Sequence, residues 1–238
     1  MVTWLAHLSG KEELISRYGG SNLDERGCWA ITEPDHGSDT LAMNQPHFND
    51  PTIKANCVAV KDGDEYVIRG QKSSWVSGAP FATVMALYCT IDGDRGFEGG
   101  GVAVVPLDLP GVSKGKPLDK LGQRSMPQGE VFFDEVRIPA DYMIMGQDTY
   151  KTALHGTLTM ANSWMGTTFA GVARSAFDLA NQYSKERIQG GKPICEHQSV
   201  KLRLFDMFRK VESASCFARK ASIINNGTDE GKLHYAIA

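Results

Sequence analysis

The spacing of apolar residues changes character twice along the chain. Residues 4 to 20 carry a helical texture closed by Gly19-Gly20, which predicts the tail of a helix. From about 28 to 140 the texture is that of strands. Val58, Ala59, Val60 and Lys61 lead into Asp62-Gly63, and Tyr66, Val67 and Ile68 follow, which predicts a strand, a tight turn and a second strand. ATVMALYCTI (82–91) and GVAVVPL (101–107) are apolar or β-branched runs separated by glycine-rich punctuation. EVFFDEVRIP (130–139) alternates less cleanly and ends at Pro139, where a ladder loses a donor. Short strands at such spacing predict an antiparallel barrel or sandwich.

Beyond about residue 148 the period becomes helical. Residues 150 to 187 hold no proline, are rich in Ala, Leu and Met, and carry small side chains at Gly166, Ala170, Ala173 and Ala176 that would let a neighbouring backbone approach. A second helix is expected from near Glu196 to Asn225-Asn226-Gly227. Its buried stripe would be Val200, Leu204, Met207, Phe208, Val211, Ser215 and Ala218. A further helix is expected to begin at Asp229, and its early stop at Ala238 reads as a truncation. The fold class expected is α+β and multidomain: the tail of a helical domain over 1–26, a β domain over 27–146, and the start of a helical bundle over 147–238.

The composition narrows the function classes. With 238 residues and 42% hydrophobic side chains the chain can bury a core. Lys and Arg number 25 against 28 Asp and Glu, a net charge of -3 that gives no reason to expect nucleic acid or an anionic membrane as partner. Five widely spaced cysteines, with no CxxC pair, read as reduced and mostly buried thiols in an intracellular protein, with no metal site expected. No apolar stretch approaches the roughly 20 residues that span a bilayer.

Two short segments carry the candidate chemistry. In AITEPDHGSDT (30–40), Thr32 and Ser38 supply hydroxyls, Pro34 stiffens the exit, and Gly37 allows a backbone geometry that a side chain would block. In GQKSSWVSGAP (70–80) a Trp and a hydroxyl, Trp75 and Ser77, again end a strand beside glycine. Two aromatic-plus-hydroxyl strand ends, Trp29-Ala30-Ile31-Thr32 and Trp75-Val76-Ser77, suit one socket for a flat heteroaromatic ligand needing apolar contact and edge hydrogen bonds.

The sequence here resembles the acyl-CoA dehydrogenase family. CWAITEPDHGSD resembles its Thr-Glu-Pro…Gly-Ser-Asp signature, and GQKSSWVSGA its second flavin segment. PGVSKGKPLDKLGQRSMPQGEVFFDEVRIP is similar to its Gly-x-Arg stretch followed by Phe-x-Asp-Val-x-Val-Pro. ERIQGGKPICEHQ resembles the Arg-x-x-x-Gly…Gln segment of its helical domain. These motifs occur in family order over roughly residues 7 to 225. The resemblance implies a helical domain, a β-barrel-like domain and a helical bundle, with most of the first domain and the end of the bundle missing.

By that resemblance, Trp29, Ile31, Thr32, Gly37 and Ser38 would line the isoalloxazine of FAD, with Ser38 also near the acyl-CoA arm. Trp75, Val76 and Ser77 would pack against the ring from the second segment. Arg187, Gln189, His197 and Gln198 would reach the pyrophosphate and adenosine of an FAD held mainly by a neighbouring subunit. Lys120, Gly122 and Arg124 would scaffold a loop. The implied activity is α,β-desaturation of an acyl-CoA thioester in fatty-acid metabolism, with hydride transfer to FAD and an electron-transferring flavoprotein as acceptor. The implied setting is cytoplasmic, or the mitochondrial matrix in a eukaryote, in a homodimer or homotetramer or beside a chain supplying missing parts. The family's catalytic Glu aligns with Ala161 or falls beyond Ala238, so the catalytic residue is unknown. Asn162 and Thr159 stand where an Arg and a substrate-side Asp are common, so Asn162 joins Ser38 as a substrate candidate. A catalytically incomplete FAD- and acyl-CoA-binding subunit, and an oxidase or flavin monooxygenase, are the alternatives.

Overall fold

The computed structural model describes residues 1–20, 22–53 and 55–227. Two compact units emerge, Met1–Leu154 and His155–Ala238. The first begins with two short helices, α1 (Val2–Ser9) and α2 (Glu12–Tyr18), where the sequence predicts one helix tail. Gly10 divides them. It sits at φ 65°, in the left-handed region, and its N–H closes α1 onto the His7 carbonyl. Val2, Leu5, Ala6, Leu14 and Tyr18 are the buried positions of the two helices.

Eight strands form one sheet: β1 (Gly27–Ala30), β2 (Val58–Asp62), β3 (Glu65–Ser77), β4 (Val84–Thr90), β5 (Gly100–Pro106), β6 (Val112–Lys114), β7 (Gln128–Pro139) and β8 (Met143–Met145). Their order is β6-β7-β3-β2-β4-β5-β8, with β1 added alongside β4. Most neighbours are antiparallel, but β1 runs parallel to β4, and β2 meets β4 in parallel at Val58 and Thr90. The sheet is therefore mixed and open, where the sequence predicts an antiparallel barrel or sandwich. A parallel pair needs a long connection. For β1 and β4 that connection is residues 31–83, which hold the Thr-Glu-Pro loop, β2 and β3.

β4 and β5 are buried at every position, which matches their unbroken apolar runs. Trp29 and Tyr150 each pack edge-on against Tyr88, with centroids 6.3 and 6.2 Å away. The uneven alternation of EVFFDEVRIP has a specific cause. Gly129, Val131 and Phe133 face inward, then Asp134 and Glu135 are both exposed, and Val136 and Ile138 face inward. The register slips here between Ile68 and Gly70 of β3, and Glu135 takes φ 54°. This β-bulge moves the buried set from odd to even positions. Opposite it, Gly70 has φ +118°, and a Cβ there would lie 2.4 Å from the Asn56 carbonyl oxygen.

The second unit holds α3 (Gln147–Glu186) from His155 onward, a hairpin of β9 (Ile188–Gln189) and β10 (Lys192–Pro193), and α4 (Gln198–Gly227). Gly190 and Gly191 turn the hairpin at φ 60° and 79°. The expected small-residue approach occurs at Gly166, where a Cβ would stand 3.9 Å from that of Ala218. The expected buried stripe on α4 is only partly covered. Val211 and Ala218 are buried and Val200, Leu204, Met207 and Ser215 are half-buried. Phe208 stays 45% exposed, its ring 5.9 Å from that of Phe177. One partner helix covers a narrower stripe than the periodicity marks out. The helix expected from Asp229 lies outside the described residues. No helix among the described residues is long and apolar enough to cross a membrane.

Cys28, Cys57 and Cys89 are buried free thiols, Cys195 is half-buried and Cys216 is exposed. Burial pushes Cys28 and Cys57 up to about 12, so neither carries thiolate reactivity near neutral pH.

Candidate functional site

The chain leaves β1 at Ala30 and enters a loop closed by its own backbone. The Glu33 N–H donates to the His36 carbonyl at 2.8 Å, and the His36 N–H to that of Glu33 at 3.3 Å. Asp39 then holds the next turn, its Oδ1 accepting from the Gly37 N–H at 2.6 Å and its Oδ2 lying 2.8 Å from His36 Nδ1. Burial works against the Asp39 carboxylate. The bonds from His36 and Gly37 outweigh it and hold the group below the ordinary aspartate range. Space beside the Gly37 Cα is open, so packing does not demand glycine there. Ser38 is exposed, and neither its hydroxyl nor that of half-buried Thr32 has a hydrogen-bond partner among the described residues.

The two motif segments are bonded to each other. The Ser73 N–H donates to the Thr32 carbonyl at 2.9 Å. One residue earlier, Lys72 reaches in from β3. Its Nζ donates to the Ile31 carbonyl at 2.9 Å and pairs with Glu33 Oε1 at 2.7 Å. Glu33 Oε2 accepts the Asn56 N–H. Both side chains of the pair are almost sealed from solvent, at 2% and 1% exposure. Two charges without water lose several kcal/mol of hydration each, and only close pairing with further hydrogen bonds offsets that. Here the bonds to the Ile31 carbonyl and the Asn56 amide provide them. The consequence is geometric, because Ile31, Thr32, Glu33 and Asn56 are tied at fixed separations to one strand.

Ser77 ends that strand half-buried. Its Oγ accepts from Gln128 Nε2 at 2.8 Å, and the same Nε2 donates to the Trp75 carbonyl at 3.1 Å. Lys120 joins this group, its Nζ donating to the Met126 carbonyl at 2.7 Å and Gln128 Oε1 at 3.1 Å. Arg124 Nε donates to the Lys120 carbonyl, and its guanidinium also meets Asp119. The loop around Gly122 is thus internally bonded and anchored to the strand end. Val76 is buried, whereas Trp75 is 61% exposed.

A cavity of about 250 Å³ has Trp29 and Ser77 on its wall, with Cys28, Val84 and Tyr18 around them. Each strand end contributes one residue to this space, Trp29 from the first and Ser77 from the second, and Ile31, Thr32, Gly37, Ser38 and Val76 are not on its wall. Trp75 is not on that wall, and its side chain is exposed to solvent. The Tyr18 hydroxyl is buried with no hydrogen-bond partner among the described residues, and burial raises its pKa.

The other predicted residues lie in the second unit. Arg187 is exposed, and its guanidinium makes no ion pair or hydrogen bond among the described residues. Its backbone carbonyl accepts the Ile194 N–H at 2.9 Å. His197 Nε2 lies 2.9 Å from the Gln189 carbonyl, which sets the hairpin against the start of α4, where Gln198 is exposed. On α3, Asn162 is exposed and Ala161 half-buried. Thr159 is buried, its hydroxyl engaged by the carbonyls of His155 and Gly156. Lys72 and Gln128 escape a motif-based search. For Lys72 a signal exists: it shares strand parity with Ile68 and Val76, both buried.

Comparison with known proteins follows these segments closely. Residues 28–136 match the acyl-CoA dehydrogenase middle domain, and residues 152–237 match the acyl-CoA dehydrogenase C-terminal domain. The chain belongs to the acyl-CoA dehydrogenase family. It is 30% identical to cyclohex-1-ene-1-carbonyl-CoA dehydrogenase of Syntrophus aciditrophicus, over 92% of this chain and 50% of that protein. Against glutaryl-CoA dehydrogenase of Desulfococcus multivorans it is 31% identical, over 95% of this chain and 57% of the relative. The crystal structure of butyryl-CoA dehydrogenase from Megasphaera elsdenii aligns with a TM-score of 0.81 at 26% identity, over 99% of this chain and 59% of that one. The chain thus spans about half the length of the curated relatives it matches. Within the acyl-CoA dehydrogenase match, Trp29 to Ser77 fall in the middle domain and Arg187 to Gln198 in the C-terminal domain.

Proposed function

We propose that the protein is a flavin-dependent dehydrogenase that removes the α proton and β hydride of an acyl-CoA thioester, with FAD held by the segments around Thr32 and Ser77. The observation that carries it is the polarity of the rim. The Ile31 carbonyl accepts from Lys72, the Thr32 carbonyl from Ser73, and the Ser77 oxygen from Gln128. The Ser77 oxygen is taken as an acceptor by Gln128 and the Thr32 hydroxyl has no partner among the described residues, so both hydroxyls are left to donate to a ligand. A flavin ring presents a row of carbonyl and imine acceptors along one edge, and such donors fit it. Trp75, exposed beside them, offers a flat apolar face.

Bound FAD supplies the hydride acceptor. The chain's own part is to orient the ring, through Trp29, Ile31, Thr32, Gly37 and Ser38 on one segment and Trp75, Val76 and Ser77 on the other. For the acyl-CoA the candidate residues are Ser38, exposed at the end of its loop, and Asn162, exposed on α3. Arg187, with Gln189, His197 and Gln198, offers an unpaired guanidinium suited to a pyrophosphate. Ala161 has no titratable group, and Glu33 is held in its ion pair, so neither takes the α proton. We assign no base among the described residues. The acceptor class is an electron-transferring flavoprotein, the compartment the cytoplasm or mitochondrial matrix, and the assembly a homo-oligomer or a pairing with a complementary chain.

Ala161 favours one second reading, a subunit that binds FAD and acyl-CoA without desaturating. The purified chain, loaded with FAD and titrated anaerobically with saturated acyl-CoA, separates the two. Bleaching of the visible flavin band is expected for a dehydrogenase, and a spectral shift without bleaching for the binding subunit. A protein that stays colourless after incubation with excess FAD overturns both. Rapid reoxidation by oxygen with peroxide release would move the assignment to an oxidase.

A further inference from the structure

We propose that Lys72 and Glu33 form a positioning pair, whose buried contact sets the Ile31–Glu33 backbone and hence the angle at which the Thr32 hydroxyl is offered. The proposal rests on the flavin site inferred above for its purpose, but on the geometry alone for its substance. A lysine nearly sealed in a strand is poorly placed for stability alone, since an apolar pair of similar volume fills such a site about as well. What an apolar pair cannot do is bond a backbone. Lys72 Nζ takes the Ile31 carbonyl, one residue before Thr32, while Glu33, one residue after it, is gripped from both oxygens. Thr32 is thus bracketed, and the Ser73 N–H fixes its own carbonyl. Both charged side chains are almost sealed from solvent, which keeps water from competing for these bonds.

Two ionic groups and two backbone groups, the Ile31 carbonyl and the Asn56 N–H, are held in one knot, which gives the knot a signature different from that of a packed core. Replacing both charged residues by apolar ones removes the unpaired-charge penalty but leaves the Ile31 carbonyl and Asn56 amide without partners. Stability and loop geometry therefore separate in the double variant.

The test uses the full chain with Lys72→Met, with Lys72→Met/Glu33→Leu, and with Glu33→Gln. The single Lys72→Met variant should melt far below wild type, and the double variant should recover most of that loss. In the double variant the Ser73 and Asn56 amides should exchange with deuterium at least about tenfold faster than in wild type, while β4 amides stay protected. If the double variant regains thermal stability and also keeps wild-type protection at Ser73 and Asn56, the pair is merely structural and the proposal falls. If the double variant does not fold, isosteric Glu33→Gln decides: accelerated exchange at Asn56 supports the pair, and unchanged exchange overturns it. Flavin affinity, read from quenching of FAD fluorescence, is measured in parallel. Wild-type protein without affinity removes the flavin site but leaves the exchange result standing. Affinity that weakens about tenfold in the double variant ties the two together.

Discussion

The two units resolve their apolar residues in opposite ways. In the first, β4 and β5 are covered on both faces and even a lysine is sealed against a glutamate. In the second, Val211, Ala218 and Ala221 are buried on α4, while Leu202, Phe205 and Ile223 of the same helix are more than 60% exposed. On α3, Trp164, Phe169 and Leu179 are more than half exposed. The difference teaches where each sequence pattern finds its complement. A β segment closes on strands of its own sheet, whereas a long helix marks out more apolar surface than a single neighbouring helix can cover.

The widest gap should appear on truncation of one leucine in each unit. Leu87→Ala in β4 should lower stability by about 2–5 kcal/mol, because the site is fully buried and cannot collapse freely. Leu202→Ala on α4 should stay within about 0.5 kcal/mol. Urea denaturation of both variants measures this, and equal losses would break the comparison.

Gly70→Ala should come next. A methyl group would meet the Asn56 carbonyl, and φ +118° is closed to other residues, so a loss of about 1–3 kcal/mol is expected from the same denaturation curves.

Asp39→Asn sharpens the comparison through pH. Because the folded carboxyl lies below its unfolded value of about 3.9, its stabilisation is complete above that pH and fades as the pH falls through the folded value. Thermal midpoints should show wild type above the variant at about pH 7, with the difference closing as the pH falls through the folded carboxyl's lowered value.

The smallest change in stability should accompany the largest change in surface behaviour. Phe205→Ser with Leu202→Ser should leave the melting curve within about 0.5 kcal/mol, yet reduce binding of a hydrophobic dye and self-association in sedimentation.

These contrasts also explain what the sequence could reveal. The strands of the first unit were legible because their apolar runs are their burial: residues 84–90 read as buried and are buried throughout. The two short helices before β1 were not, since Gly10 looks like any tolerated glycine until its left-handed φ is known. On α4 the period identified which residues share a stripe, yet said nothing of how far a neighbour would reach, and Phe208 stayed exposed. At the candidate site, the hydroxyls of Thr32 and Ser77 stood out by type and setting. Gln128, which orients the Ser77 oxygen from another strand, follows a proline in an unremarkable run and has no local signal. Long-range partners of this kind are set by sheet order, and order is not written in any one segment.

The bulge in β7 carries a consequence for how this strand can vary in length. With Asp134 and Glu135 both turned outward, the strand keeps an inward face on either side of a change of parity. Removing Glu135 alone would restore a plain ladder in which Phe133, Asp134 and Val136 alternate, and Val131, Phe133, Val136 and Ile138 would all still face inward. The bulge is thus the one place in this strand where a single residue can be lost with the core face intact, whereas a lone deletion within either plain stretch turns the rest of that stretch over.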